Sequence, residues 1–259
     1  MVKTYKIISW NVNGIRAAHR KGLLEWVDQA KPDILCLQET KASPDQLPAA
    51  LTDHKPYFSF WHSATSKKGY SGVATYSKIE PIRVEHGLGI GKFDEEGRVL
   101  MTEFPAFTLF NVYFPNGKMN SDRLNYKLEF YEAFLKKVDS LKAKGKKIIF
   151  CGDVNTAHRA IDLARPAANE QISGFLPIER KWIDRVVEHG YLDSLREFHS
   201  EPDLYSWWDL KSHARERNVG WRIDYFFVQK ELRKHLTDAA LLPEVTGSDH
   251  CPVSIALKF

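Results

Sequence analysis

The sequence predicts an α/β protein in which a mixed or antiparallel system of sheets is covered by helices on its outside. Short apolar runs such as residues 148–151 are typical of strands that are buried on both faces. Residues 121–144 place apolar side chains at steps of three and four, which indicates an amphipathic helix. Strand-like segments at 99–104 and 107–114 follow each other closely. No linker interrupts the 259 residues, and we expect a single domain over 1–259.

The remaining elements follow from the same patterns. Leu23, Leu24 and Val27 have helical spacing, and Pro32 ends that helix. Ser121 is expected to cap the long helix and Gly145 to end it. In chain order we expect helices at 21–30, 44–51, 121–144 and 177–190. We expect a first strand that starts at Lys6, and further strands at 34–37, 73–76, 99–104, 107–114, 148–151, 223–228 and 253–257. Loops are expected at 61–69, 87–97 and 156–175. The similar stretches 6–13 and 146–155 hint at two related halves.

Composition limits the function classes only weakly. The formal net charge of +4 permits a polyanionic partner without requiring one. No apolar run approaches the roughly 18 residues that a membrane span needs, and the chain enters a strand near Lys6 without a signal peptide. Three cysteines (Cys36, Cys151 and Cys251) without a metal-type spacing indicate reduced, buried thiols. We therefore expect an intracellular protein, cytoplasmic or in the nucleoid if its source is prokaryotic, that is monomeric and has no membrane partner.

Polar side chains follow several of the predicted strands. Asp153 and Asn155 leave the strand at 148–151 two residues apart, so they point to the same side. The full set of such residues is Asn11, Asn13, Glu39, Asp153, Asn155, Asp224, Asp249 and His250. Carboxylate and amide oxygens suit hard cations such as Mg²⁺ or Mn²⁺, and with a histidine they favour a phosphoester hydrolase. Any one of these residues is more simply explained as a turn residue, but that explanation is less satisfactory for all eight.

Two further groups of residues remain open to two interpretations. Trp207, Trp208 and Trp221 are typical either of core packing or of a nucleotide-recognition pocket. The basic residues near strand ends form either an ordinary solvated surface or a phosphate-facing rim; they are Arg16, Lys41, Lys67, Lys68, Arg98, Lys118, Arg215, Arg217 and Arg222. Asp224 is a candidate to fix the tautomer of His250.

Eight motifs between Lys6 and Leu257 together resemble, in order, the exonuclease III family of apurinic/apyrimidinic (AP) endonucleases. They are Trp10-Asn11-Val12-Asn13-Gly14, Leu37-Gln38-Glu39-Thr40-Lys41, Gly69-Tyr70-Ser71-Gly72-Val73, Tyr113-Phe114-Pro115-Asn116-Gly117, Gly152-Asp153-Val154-Asn155, Gly174-Phe175-Leu176-Pro177, Gly220-Trp221-Arg222-Ile223-Asp224-Tyr225 and Gly247-Ser248-Asp249-His250-Cys251-Pro252. The resemblance implies a four-layer α/β sandwich, in which two packed mixed β-sheets are flanked by helices as in deoxyribonuclease I.

The resemblance also implies an activity and its partners. It implies Mg²⁺-dependent hydrolysis, with Mn²⁺ as a substitute, of the phosphodiester 5′ to an abasic site, leaving a 3′-hydroxyl and a 5′-deoxyribose phosphate. The implied partner is double-stranded DNA that contains abasic sites or blocked 3′ ends, and 3′-phosphodiesterase, 3′-phosphatase and 3′→5′ exonuclease activities are expected as well. Two alternatives are a phosphatase of the same fold that acts on a small phosphoester or inositol lipid headgroup, and a DNA-binding protein without activity.

The resemblance assigns expected roles residue by residue. Glu39 is the expected main metal ligand, with Asn13 and Asp249 beside it. The expected catalytic set includes Asp153 to orient and deprotonate water and Asn11 to hold Asp153. Asn155 is expected to contact the phosphate or the water, and Tyr113 to contact the phosphate or assist the leaving oxygen. His250, paired with Asp224, is expected to bind the phosphate and stabilise its developing charge. The expected abasic pocket consists of Trp207, Trp221 and Ile223, and the expected DNA contacts are Tyr70, Arg98, Asn116 and Asn169.

The chain departs from the family pattern at two positions. Asn13 stands where some relatives have Asp, which removes one charge beside the metal. Ile172 stands where a DNA-contacting Asn is common. The rim residues Lys118, Met119 and Lys211 lie where relatives vary, so no role is assigned to them. Gly152 is expected to let the backbone turn and a phosphate approach.

Overall fold

The computed structural model describes residues 3–259 and contains two six-stranded sheets packed face to face. In chain order the strands are β1 (Thr4–Asn11), β2 (Ile34–Gln38), β3 (Phe58–His62), β4 (Val73–Ser77), β5 (Arg83–His86), β6 (Val99–Glu103), β7 (Thr108–Tyr113), β8 (Ile148–Asp153), β9 (Tyr191–Asp193), β10 (Trp207–Trp208), β11 (Gly220–Trp221), β12 (Asp224–Gln229), β13 (Leu236–Leu241) and β14 (Val253–Lys258). The helices are α1 (Ile15–Arg20), α2 (Leu23–Ala30), α3 (Ala49–Thr52), α4 (Gly91–Asp94), α5 (Ser121–Ala143), α6 (Pro166–Asn169) and α7 (Pro177–Glu188).

The two sheets have the same pattern of strand pairing. The first has the order β13-β14-β1-β2-β4-β3 and the second β5-β6-β7-β8-β12-β9. Each has one parallel pair at its centre, β1 with β2 and β7 with β8, and antiparallel pairs on both sides. The strands β1 and β8, which carry the similar stretches, therefore occupy equivalent central positions. The small ribbon β10-β11 stands apart from both sheets.

Alternating side chains of the central strands build the layers. Ile149 and Cys151 of β8 face the other sheet, where they pack with Ile7 and Cys36. The residues between them, such as Phe150, face outward and pack against α5 and α7. Because both faces of β8 are covered, its sequence is apolar throughout rather than alternating. On the far side, the first sheet packs against α1 and α2. The layers run helices, sheet, sheet, helices, which confirms the predicted four-layer α/β sandwich.

Several predicted element boundaries need correction. Asn120, not Ser121, caps the long helix, since its side chain accepts a hydrogen bond from the Arg123 amide at 2.9 Å. The predicted loops at 61–69, 87–97 and 156–175 contain the end of β3, the helix α4 and the helix α6, respectively. These segments are short and carry little apolar periodicity, so their sequences do not reveal them. The predicted helix at 44–51 is a 3₁₀ turn at Pro44–Gln46 followed by α3.

The reason for Gly152 differs from the expected one. Its φ is 135°, and a Cβ at this position would lie 1.8 Å from the carbonyl oxygen of Val112 in the neighbouring β7. The glycine therefore permits the close approach of the neighbouring strand.

No helix in residues 3–259 is both long enough and apolar enough to cross a membrane.

Candidate active site

One cleft of about 220 Å³ collects most of the polar residues that the sequence singles out. Asn11 ends β1, Asp153 ends β8, Asp224 begins β12, and Glu39 and His250 lie in the loops next to β2 and β14. These positions meet at one end of the packed sheets. The cleft is lined by Asn13, Glu39, Tyr113, Asn116, Lys118, Asp153, Asn155, Gly174, Trp207, Trp221, Ile223, Asp249 and His250.

Three residues that follow the strand ends adopt left-handed backbone conformations. The φ angles are 45° at Asn13, 57° at Glu39 and 57° at Asn155. Asparagine tolerates this region because its side chain bonds locally, but a glutamate there is uncommon. Such strained residues concentrate at functional sites, where the surrounding structure holds them in place.

Asp153 is buried at the floor of the cleft and is held by two asparagines. Asn11 Nδ2 donates to Asp153 Oδ2 at 2.9 Å and to Glu39 Oε2 at 3.1 Å. The Asn155 backbone N–H donates to Asp153 Oδ1 at 2.8 Å, and Asn155 Nδ2 donates to Oδ2 at 3.1 Å. Asn11 thus joins two of the predicted catalytic and metal-binding carboxylates, and the orientation of Asp153 is fixed from both sides.

His250 faces Asp153 and is backed by Asp224. His250 Nδ1 lies 2.8 Å from Asp224 Oδ2, which leaves Nε2 pointing into the cleft, 3.9 Å from Asp153 Oδ2. Ser206 donates to the same Asp224 oxygen at 2.6 Å and accepts hydrogen bonds from the backbone of Ile223 and Asp224. The imidazole ring is therefore held in one orientation by a chain of buried polar groups.

The cluster perturbs the ionisation of its members. Burial raises the pKa of Asp153 to about 7, which His250 opposes and Asp224 reinforces. Burial disfavours the charged form of His250, but the charge and hydrogen bond of Asp224 outweigh it and raise the pKa of His250 to about 10. The cleft floor thus holds a cationic imidazolium facing a carboxylate that changes its protonation state near neutral pH.

A second group of oxygen atoms lies beside this floor. Asn13 Nδ2 donates to Asp249 Oδ1 at 2.9 Å, and Trp207 Nε1 donates to Asp249 Oδ2 at 3.0 Å. The Lys41 ammonium lies 3.0 Å from Glu39 Oε1 and 2.5 Å from Asn13 Oδ1. A cationic group therefore already associates with the oxygens of Glu39 and Asn13.

Metal binding is possible at the cleft floor as well. Asp153, Asp224 and His250 each offer one ligand atom, and these atoms lie within 4.8 Å of one another. This buried Asp/Asp/His cluster could bind a metal ion only if His250 gives up the proton that its raised pKa retains.

An apolar compartment adjoins the polar floor. Trp207 and Trp221 pair across β10 and β11, and they pack with Ile223 and Phe175. Gly174 has a φ of 102°, and a Cβ there would lie 3.2 Å from the Trp221 ring. The two half-buried indoles are therefore pocket walls as well as packing partners. Trp208 is buried in a separate apolar cluster.

The predicted DNA-contact residues do not all lie at the cleft. Asn116 Nδ2 donates to Asn155 Oδ1 at 3.0 Å at the cleft edge. Arg98 contacts both Tyr70 and Tyr113: it donates to the Tyr70 hydroxyl at 3.0 Å, and its guanidinium lies 4.7 Å from the Tyr113 ring centroid. Asn169 is not among the cleft-lining residues; its Nδ2 donates to the Arg165 carbonyl at 2.7 Å within the short helix α6.

The basic rim is smaller than expected. Arg222 is 1% exposed and binds Asp162 and Asp193, and Arg98 is also 1% exposed and pairs with Glu96. Arg215 donates to the backbone carbonyls of a neighbouring loop. These three arginines stabilise the fold, so they are not rim residues. The exposed members of the set are Arg16, Lys67, Lys68, Lys118 and Arg217, and Lys41 is half-buried.

Two contributors were missed from the sequence. Ser206, the partner of Asp224, is hidden in an aromatic stretch and has no motif of its own. Lys127 is fully buried in α5, where its ammonium donates to the Asn155 carbonyl at 2.8 Å. The available signal is its place on the apolar stripe of the helix, since a lysine between Leu124 and Tyr131 interrupts that stripe.

The chain matches the model of the endonuclease/exonuclease/phosphatase family over residues 8–250. It is 44% identical over 257 residues to the exodeoxyribonuclease of Bacillus subtilis (strain 168), covering 98% of this chain and 99% of the relative. It is 42% identical over 254 residues to the DNA repair nuclease APEX1 of Danio rerio, covering 97% and 82%.

Solved structures agree with these matches. The AP endonuclease LMAP from Leishmania major superimposes with a TM-score of 0.90 at 31% identity, covering 99% of this chain and 88% of that one. The 3′ phosphatase NExo from Neisseria, solved with a product DNA hairpin, gives 0.91 at 29% identity, covering 98% and 100%. The predicted class of enzyme, a hydrolytic nuclease, is confirmed, and the chain belongs to the endonuclease/exonuclease/phosphatase family, among the exonuclease III-type AP endonucleases.

Proposed function

We propose that the protein is a DNA-repair AP endonuclease, which hydrolyses the phosphodiester 5′ to an abasic site in double-stranded DNA and leaves a 3′-hydroxyl and a 5′-deoxyribose phosphate. The observation that carries this proposal is the pairing of two compartments in one cleft. A polar floor with Asp153 and His250 is directly joined to an apolar pocket with Trp207 and Trp221.

The polar floor suits attack of water on phosphorus. Asp153, held by Asn11 and Asn155, accepts a proton from the attacking water. The imidazolium of His250, fixed by Asp224, donates from Nε2 to a phosphate oxygen and offsets the charge that develops there. The oxygen of the water forms a bond to phosphorus and the bond between phosphorus and the 3′ oxygen breaks. The released 3′ oxygen takes up a proton from solvent and becomes the 3′-hydroxyl.

Tyr113 is placed to serve the leaving group. It lines the cleft, and burial together with the nearby Glu39 raises the pKa of its hydroxyl well above the usual value. The hydroxyl therefore keeps its proton at neutral pH. It can donate a hydrogen bond to the phosphate or to the departing 3′ oxygen.

The oxygen atoms of Glu39, Asn13 and Asp249 would hold Mg²⁺, with Mn²⁺ as a substitute. The association of the Lys41 ammonium with Glu39 and Asn13 supports this, because it shows that these oxygens attract a cation. Burial raises the pKa of Asp249, but His250 and the hydrogen bonds from Asn13 and Trp207 outweigh it, so the net shift is downward and Asp249 stays ionised. When bound, Mg²⁺ supplies charge neutralisation for the phosphate.

The apolar pocket suits a sugar that carries no base. Trp207, Trp221 and Ile223 offer indole and aliphatic surface, and the hydrogen-bonding Nε1 of Trp207 is already taken by Asp249. Unstacking costs least where the base is missing, so an abasic deoxyribose is the preferred occupant. The same pocket argues against an inositol headgroup, whose hydroxyls would lack partners on these walls.

A 3′-phosphatase, 3′-phosphodiesterase and 3′→5′ exonuclease activity is proposed in addition. The structural similarity to a 3′ phosphatase solved with product DNA favours it. The same floor would act on a terminal phosphoester, since the chemistry at phosphorus is identical.

Product analysis tests the proposal. The protein is incubated with Mg²⁺ and one substrate in each of four reactions. The substrates are an abasic duplex, an intact duplex with a recessed 3′ end, a 3′-phosphate duplex and inositol phosphates. We expect nicking 5′ to the abasic site, with a 3′-hydroxyl end, and loss of the reaction with EDTA. If phosphate is released from inositol phosphates faster than abasic DNA is cleaved, the assignment of DNA as the substrate is overturned. If nicking persists in EDTA, the proposed requirement for a metal is overturned.

A further inference from the structure

A buried ion pair lies behind the cleft wall. Lys127 Nζ of α5 and Glu179 Oε1 of α7 are 2.6 Å apart, and both side chains are 0% exposed. Burial lowers the pKa of Lys127, which Glu179 opposes. Removing two charges from water costs several kcal/mol per ion, so such a pair adds little stability compared with apolar residues of the same size.

The lysine is bonded to the chain that follows β8. Its ammonium donates to the Asn155 carbonyl oxygen and to Thr156 Oγ1, each at 2.8 Å. Asn155 is the residue with the left-handed backbone that contacts Asp153 through both its backbone N–H and its side-chain amide. Lys127 therefore fixes the carbonyl of the residue that orients Asp153.

The glutamate is bonded to the neighbouring loop that carries Gly174. Glu179 Oε2 accepts from the Gly174 N–H at 2.6 Å and from the Leu176 N–H at 3.1 Å. Its Oε1 accepts from Ser173 Oγ at 2.8 Å. Gly174 lies against Trp221, so this carboxylate fixes the loop that supports the apolar wall.

We propose that Lys127 and Glu179 are positioning residues, which hold the Asn155–Asp153 contact and the Gly174 wall in register with each other. The two loops are also joined by a backbone hydrogen bond from the Ala157 N–H to the Gly174 carbonyl at 2.8 Å. The pair adds a side-chain link between them, because Lys127 holds one loop and Glu179 the other. This inference rests on the proposed phosphodiester cleavage at the cleft. Neither residue touches the cleft itself.

Three variants separate positioning from stability. Lys127→Met and Glu179→Gln each leave one buried charge without its partner, so both are expected to lower the unfolding temperature. The double variant Lys127→Met/Glu179→Gln removes both charges and is expected to recover most of that loss. The matched control is Arg185→Met/Glu132→Gln, which removes an exposed ion pair between the same two helices, with atoms 2.5 Å apart.

The kinetic readout is the split between kcat and KM on an abasic duplex, measured well below the unfolding temperature. Because small misplacements of reacting groups are costly, we expect kcat of the double variant to fall by about 10- to 100-fold while KM changes by less than about threefold. The control variant is expected to keep the kcat of the unsubstituted protein. A double variant with recovered stability and unchanged kcat would show that the pair is only structural.

An independent readout is the Asn155 side-chain amide in NMR spectra of protein labelled with ¹⁵N-asparagine, assigned with Asn155→Ala. We expect its resonances to shift or broaden in the double variant and to remain in the control. Unchanged resonances would overturn the positioning role even if the double variant unfolds more easily. If the unsubstituted protein does not cleave abasic DNA at all, the proposed function fails, whereas the NMR result still decides whether the pair positions Asn155.

Discussion

Arg222 and Asp224 stand two residues apart in the chain, yet they belong to two buried ionic clusters with opposite electrostatics. Arg222 binds Asp162 at 2.8 Å and Asp193 at 2.6 Å, and Arg196 binds the same Asp162 at 2.7 Å. We call this the arginine cluster. Asp224 belongs to the cleft cluster, in which His250 lies between Asp224 and Asp153.

The carboxylates of the two clusters shift in opposite directions. Burial would raise the pKa of Asp162, but the two arginines outweigh it and lower the pKa to about 2. In the cleft, burial dominates and the pKa of Asp153 rises to about 7. Within residues 3–259, Asp224 Oδ1 is also buried without a hydrogen-bond partner.

The difference separates a structural site from a reactive one. The arginine cluster pairs its charges within the protein, so it contributes to stability. The cleft cluster keeps acceptor capacity and a proton that moves near neutral pH, at a cost to stability. Substitutions in the two clusters should therefore have opposite effects on activity and on stability.

The largest expected effect is that of Asp153→Asn. Loss of the proton acceptor should lower kcat on abasic DNA by about 10²- to 10⁴-fold. Stability should rise or stay the same above pH 7, because a carboxyl group with a raised pKa destabilises the folded state once it is ionised. Steady-state kinetics and thermal unfolding measure the two effects. A variant that retains full turnover would refute the role of Asp153.

In the arginine cluster, Asp193→Asn should show the reverse pattern. It removes one bidentate partner of the buried Arg222 and should lower the free energy of unfolding by about 3 kcal/mol. Turnover should be unchanged when it is measured about 15–20 °C below the unfolding temperature of the variant, because the variant is still folded there. Urea denaturation and kinetics measure both. A strong loss of turnover with intact stability would show that the two clusters are not separate.

The sequence predicts the layers and most of the cleft, for a physical reason. Residues such as Asn11, Asp153 and Asp224 lie at strand ends, and the apolar strands before them fix where those ends meet. The four-layer arrangement itself came from the resemblance, since periodicity indicates only that Ile148–Cys151 is covered on both faces.

What the sequence could not predict depends on side-chain partners that are distant in the chain. Arg222 looks like a rim residue because its loop lies near the cleft, but it is buried by its ion pairs with Asp162 and Asp193. Lys127 donates to Glu179, which lies 52 residues further along the chain. The spacing of residues within a helix carries no information about such a distant contact.

The pH dependence of turnover sharpens the comparison. Asp153 must be ionised to accept a proton, and its pKa is raised to about 7. Turnover should therefore increase about tenfold per pH unit below the pKa of Asp153 and level off above it. His250 opposes the raised pKa, so His250→Gln should move the remaining profile to higher pH. A profile of the unsubstituted protein that is flat from pH 5 to 8 would contradict this assignment.

The smallest expected effect is the acid sensitivity of the arginine cluster. Asp162 has a pKa of about 2 in the folded protein, against 3.8 for an ordinary aspartate, so its contribution to stability is fully present above about pH 4 and is lost as the pH falls through 2. The difference corresponds to roughly 2 kcal/mol. Urea denaturation between pH 5 and 2 should show this loss on top of the general acid effect, and Asp162→Asn should lower stability at pH 5 but remove this part of the pH dependence. If the free energy of unfolding changes with pH equally in the unsubstituted protein and in Asp162→Asn, Asp162 is not held ionised by Arg222 and Arg196. The pKa of Asp153 is shifted upward, so its ionisation changes near neutral pH, whereas that of Asp162 changes in acid. The contributions of the two clusters can therefore be distinguished by the pH range in which each one changes.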